Sequence, residues 1–215
     1  MRDYGRVETT VSGLSALIMH NGRLADPLDE WAKKLKKLTA KKSKTDDDHE
    51  LIGEVEWEAS MYWTEGLGIY LPSMNIARML LDAAKKIKLG RQTPGILVEN
   101  EVGFKVEHRL GNTRGIEKMR KDPEYRYRCC AGVAGRKIMR TRFRVPAPYT
   151  VKFSVLLDYS LLDLDQFREI VAIAGHQIGW CDQRPGSPKV PGPYGRFGVE
   201  AVQELALDSN EQVAA

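Results

Sequence analysis

Cysteine is scarce: three residues, of which Cys129 and Cys130 are adjacent, too few and too badly spaced for a disulfide framework or a zinc knuckle. No apolar run approaches the ~20 residues of a membrane helix. The longest candidates, SGLSALIM and FSVLLDYSLL, are broken by polar residues. The first residues, MRDYGRVETT, hold no apolar signal core, so a reducing cytoplasm is the expected compartment. No P-loop, dinucleotide fingerprint, serine elbow or H-E-x-x-H motif occurs. Asp46-Asp47-Asp48 is a helix start rather than a spaced ligand set, so neither metal nor cofactor is expected. Secreted, membrane-spanning and zinc-finger classes drop out.

What remains is a globular composition: 215 residues, 42% hydrophobic and 29% charged, with a mean hydropathy of −0.40. The formal net charge is only +4, but it is unevenly placed. Between Lys105 and Lys152 stand 14 basic and four acidic residues, so this segment carries +10 and the rest −6. A basic block in a near-neutral chain is the footprint of a polyanion partner. The other reading is a basic solvated surface.

Periodicity outlines the elements. Residues 6–19 alternate and hold a glycine, as a strand with a bulge does. Asp26-Pro27 signals a helix start, followed by a stripe at Leu28, Trp31, Leu35 and Leu38 on a lysine-coated helix. The three aspartates open a second helix reaching about Ala59. MYWTEGLGIYLP reads as a hairpin, and Ser73 caps the helix NIARMLLDAAKKIK. Residues 111–135 read as an excursion with little regular structure. KIMRTRFRV and TVKFSVLLDY are strands, LDQFREIVAIAGHQIG is a helix, and YGRFGVEAVQEL is the last strand. Without its insertions, that order is a ferredoxin-like split βαβ pattern: an α+β fold with an antiparallel sheet and its helices on one face. One domain over residues 1–215 is expected, with an inserted helical pair at 21–60 and a basic excursion at 99–150.

Two stretches suit a phosphate-bearing ligand. Leu71-Pro72-Ser73-Met74-Asn75-Ile76 delivers a small capping residue into a helix start, whose free N–H groups, with Ser73, Asn75 and Arg78, suit an anion; a plain N-cap is the alternative. GWCDQRPGSPKVPGPYGRFGVEAV concentrates glycine and proline before the last strand and supplies Arg184, Tyr194 and Arg196. Together they resemble the RAMP proteins of CRISPR systems, which pair a strand, a proline-glycine-serine-like turn and a helix with a C-terminal G-x-G-R-F loop. Here the latter ends Tyr194-Gly195-Arg196-Phe197-Gly198-Val199. Ser73-Met74 replaces the glycine-serine, and residues 21–60 have no counterpart. The chain is most similar to the guide-RNA-coating backbone subunit, with its basic thumb, or to a stand-alone relative such as a bacteriophage encodes. The resemblance implies an RNA-recognition-motif-like fold, single-stranded nucleic acid as partner, and several copies along one strand.

The thumb-like strand carries its own pattern. Arg136, Arg140, Arg142 and Arg144 share one face, while Lys137 sits on the other. Four guanidiniums in line call for an anion, so reversing Arg140 and Arg142 is expected to abolish binding and leave the fold intact. With Lys85 on the long helix, these residues complete the expected binding set. Tyr125, Tyr127, Phe143 and Tyr194 are expected to stack bases. The expected function is non-catalytic binding of RNA or single-stranded DNA. Its rivals are a metal-independent endoribonuclease using His20 and an assembly protein whose basic block meets an acidic partner.

Overall fold

Alternation governs the first strand: β1 (Tyr4–Gly13) buries Gly5, Val7, Thr9, Val11 and Gly13 and leaves the residues between them half-exposed. The computed structural model describes residues 4–111, 115–133 and 136–206, with the backbone alone at Val133 and Arg136. The bulge expected of this strand lies on its partner instead: opposite Thr10 and Val11 the register skips Glu200 of the last strand, while pairing on the other side of β1 is unbroken. The strand does not run on to Met19. The amides of Leu14 and Ser15 turn to the Arg196 carbonyl, and the chain resumes as β2 (Leu17–Ile18) in a second sheet.

The first inserted helix starts later than Asp26-Pro27 suggests. Asp26 accepts from the Leu28 amide and only closes a turn, while Asp29 caps α1 (Glu30–Thr39) by accepting from the Trp31 amide. Next, α2 (Asp46–Ala59) opens with a reciprocal Thr45–Asp48 capping box. The hairpin is β3 (Trp63–Thr64) with β4 (Gly68–Pro72), which leads straight into α3 (Ser73–Lys86). Short strands β5 (Ile96–Val98) and β6 (Gly103–Glu107) follow.

The excursion is more ordered than its composition suggests. It forms α4 (Ile116–Lys121), a 3-10 turn at Pro123–Tyr125 and β7 (Arg126–Val133), which pairs antiparallel with β8 (Arg136–Val145). Its Cys-Cys-Ala-Gly stretch is a poor strand signal that the partner strand overrides. The chain continues through β9 (Thr150–Asp158), α5 (Leu164–Ile173) with an Asp163–Gln166 capping box, one π-helical turn at Ala174–Ile178, and β10 (Phe197–Leu205).

Among the described residues the protein is thus α+β, with five α-helices and a mostly antiparallel sheet. The main sheet runs β10-β1-β9-β6-β4-β3, with β5 also on β9. Ile76, Leu80 and Ala84 of α3 and Phe167, Ile170 and Val171 of α5 share one core with the buried face of β1 and β9. A smaller sheet, β2-β8-β7, stands beside it and packs on α2 through Trp57, Tyr125 and Phe143. Two α2 side chains take the place of a neighbouring strand for β8: Glu56 accepts from the Thr141 amide at 2.8 Å, and Ser60 Oγ from the Phe143 amide at 2.7 Å. No described helix is long and apolar enough to cross a membrane.

Candidate nucleic-acid interface

Segments far apart in sequence converge beside α3. Residues 16–21 thread between the β7–β8 hairpin and the glycine-rich loop: Met19 N donates to Phe143 O, Asp182 N to Ile18 O, and Gly195 N to Ala16 O. That threading buries Leu17, Ile18 and Met19 and leaves His20 exposed at the edge of a cleft. The loop is anchored by Trp180, which stacks on Phe197 at 4.3 Å and donates to the Tyr149 hydroxyl at 2.9 Å. It turns through left-handed backbone at Gly179 (φ 65°) and Gly195 (φ 68°), where glycine has no steric penalty. Cys181 and Gln183 also take positive φ, 64° and 51°, uncommon for residues with a Cβ.

The resulting cleft, about 220 Å³, is lined by His20, Tyr62, Asn75, Arg78, Asp182 and Arg184. A second hollow of about 480 Å³ shares His20 and Asp182 with it and extends to Arg140, Arg142 and Cys129. Of the expected set, Asn75, Arg78 and Arg184 therefore line the first hollow and Arg140 and Arg142 the second, with His20 and Asp182 between them. Arg78 is well exposed and bonds Asp82 at 3.1 Å; Arg184 donates to the Cys181 carbonyl at 3.1 Å. The Arg142 side chain is 10% exposed, and its Nε lies 3.8 Å from Asp182, with no hydrogen-bond partner among the described residues. A buried guanidinium N–H left unmade is costly, and an incoming anion would relieve it.

The rest of the expected set lies elsewhere. Ser73 is no N-cap: Pro72 holds that position, and the buried Ser73 hydroxyl donates to the Asn100 carbonyl, so it is not available to a ligand. Lys85 lies in the last turn of α3, near Asp82. Arg196 donates to the His176 carbonyl and closes the end of the helix. Arg144 is tied to the Glu124 carbonyl. Lys137 is exposed on another groove. The Arg136 side chain, and Arg114 of the basic block, lie outside the described residues.

The arginine face is already met by carboxylates. Helix α2 carries seven acids and no Lys or Arg. Glu56, 2% exposed, pairs with Arg140 at 2.5 Å; Glu54 holds Arg120 and Arg126; Glu58 holds Arg120 at 2.8 Å. Reversing Arg140 would therefore set a carboxylate against buried Glu56 and cost stability, contrary to the expectation of an intact fold. Tyr125 and Phe143 are fully buried, so neither stacks a base. Tyr127 and Tyr194 remain partly exposed and meet edge to face at 5.1 Å, which clips the loop to β7.

Partial desolvation at the cleft edge, where about half of the side chain is covered, reinforced by the Arg142 charge, lowers the His20 pKa below 6.5 and outweighs Asp182, whose carboxylate lies 3.9 Å away and raises it. His108, beside the Tyr125 hydroxyl at 2.9 Å, is lowered to about 4, by burial first and then by Lys105 and Arg109. The folded state thus resists a proton that the unfolded chain accepts. The contribution of neutral His108 is complete above 6.5 and is lost as pH falls toward 4. The melting temperature should fall through that window, and fall less in His108→Gln. Parallel acid limbs would exonerate His108.

No described group of three or more His, Cys, Asp or Glu side chains has the arrangement of a metal site. No family model and no curated protein matches the chain.

Proposed function

We propose that the protein binds single-stranded nucleic acid without cleaving it, as a ferredoxin-like member of the RAMP superfamily that lines up in several copies along one strand. The order β10-β1-β9-β5, with α3 and α5 sharing one core against it, supports the fold reading, since α5 then joins β9 to β10 across β1, while α3 reaches β5 from the added strand β4. One observation carries the functional reading: the start of α3, the glycine-rich loop and the hairpin arginines line two adjoining hollows that share His20 and Asp182, and buried Arg142 there lacks a hydrogen-bond partner for Nε among the described residues. The phosphate backbone would be gripped by Arg78, Arg142 and Arg184, with Asn75 supplying a neutral donor.

Arg78→Glu combined with Arg184→Glu tests this without touching the core. By fluorescence anisotropy with a labelled strand of roughly 16 nucleotides, affinity should fall at least about tenfold, while loss of the exposed Arg78–Asp82 pair and of the Arg184–Cys181 bond lowers the melting temperature by only a few degrees. RNA and DNA arms of the titration separate the two ligands. Binding through about three phosphates, one for each of Arg78, Arg142 and Arg184, should give a log–log salt slope near −2. Full affinity in the double variant, or a flat salt response, would refute the cleft.

A second reading has one specific support: neutral His20 sits beside Asp182 in the same cleft, placed as a general base would be. Metal-free cleavage of structured RNA that His20→Ala abolishes would make the protein an endoribonuclease instead.

A further inference from the structure

Helix α1 is amphipathic yet buries none of its residues. Trp31, Ala32, Leu35 and Leu38 are only partly covered, and Leu28, just before the helix, is 75% exposed. Beside this stripe runs a groove of about 950 Å³ between α1, α2 and the β7–β8 hairpin. Its floor is aliphatic: Leu24, Leu35, Ile52, Ile138 and Met139, the last 49% exposed. Its rim is cationic. Lys33, Lys36, Arg128 and Lys137 have no carboxylate within 4.0 Å among the described residues, and Asp46 is the only carboxylate residue in the lining.

We propose that this groove docks an acidic amphipathic helix of a partner protein, its apolar side chains on the aliphatic floor and its carboxylates against the lysine rim. Charge complementarity selects an acidic occupant, and the floor selects an apolar-anchored one. Nucleic acid suits it less well, because among the described residues no Phe, Tyr or Trp lines the groove, His49 being its one ring, and single-strand binding relies on aromatic stacking. A second copy offering its own acidic helix suits it less well too, because Glu54, Glu56 and Glu58 of α2 are engaged with Arg120, Arg126 and Arg140. The docking does not depend on nucleic-acid binding.

The probe is a fluorescein-labelled peptide of about 15 residues, with leucine at i, i+3, i+4 and i+7 spacing and glutamate between. Saturable binding is expected, weakened at least about tenfold when lysine replaces the glutamates or serine the leucines. Met139→Glu should weaken binding of the acidic peptide by a similar factor; its side chain faces solvent, so the melting curve should hold. Lys33→Glu with Lys36→Glu provides an independent variant outside the hairpin. Absence of saturable binding up to about 100 micromolar, equal affinity for the lysine peptide, or full affinity in both variants would overturn the proposal. So would loss of oligonucleotide binding or of self-association in these variants with peptide binding unchanged. Failure of the nucleic-acid reading would register separately, in the Arg78/Arg184 variant.

Discussion

Glu56→Ala should unfold the protein about 10 °C earlier than the parent, from a loss of about 3–5 kcal/mol. Glu56 is 2% exposed, and its two oxygens accept one hydrogen bond each, from Arg140 Nη1 and from the Thr141 amide. Removing the carboxylate leaves a largely buried guanidinium and a buried strand amide without their acceptor, and that loss exceeds the worth of an ordinary ion pair. Glu58→Ala is the control. Its pair with Arg120 is about one-third exposed at each partner, and its loss should cost under about 1 kcal/mol. Thermal unfolding followed by circular dichroism separates the two. Equal melting temperatures for both variants would mean that Glu56 is not the clasp between α2 and the hairpin.

Gly195→Ala should cost about 2–4 kcal/mol and at least about tenfold in nucleic-acid affinity. Gly195 has φ 68°, and a Cβ built there runs into the backbone carbonyl of Trp180. The same residue exchanges backbone hydrogen bonds with its surroundings, donating to Ala16 O at 2.9 Å and accepting from Trp180 N at 3.2 Å. The loop therefore moves to admit a methyl group, and Asp182 and Arg184 move with it. Gly66→Ala meets nothing within 4 Å and should be close to neutral. If the Gly195 variant binds and melts as the parent does, the loop does not depend on that turn.

Elements with local signals were legible in the sequence. The second helix starts at Asp46 as its acids indicate, the hairpin and α3 follow MYWTEGLGIYLP, and the arginine strand lies where its alternation places it. Of the candidate site, Asn75, Arg78 and Arg184 could be identified because a strand–helix junction and a glycine-rich loop each leave a signature. What decides the fate of the arginines was not legible. The acceptor of Arg140 lies 84 positions away on α2, and no local pattern links the two. Ser73 misled for a similar reason: its sequence context is that of a cap, but the Asn100 carbonyl claims its hydroxyl. The strand β7 was hidden because Ala and Gly carry little strand preference, and only pairing with β8 fixes it.

The side chains by which α2 closes the edge of β8 have a consequence in time as well as in space. The Thr141 and Phe143 amides are held by Glu56 and Ser60, not by another strand. Their hydrogens are released to solvent only when α2 lifts away, whatever the stability of the hairpin's own ladder. These two amides and the interior of α2 should thus exchange with deuterium at a common opening free energy and behave as one cooperative unit. The amides that β7 and β8 share should report a different, independent opening.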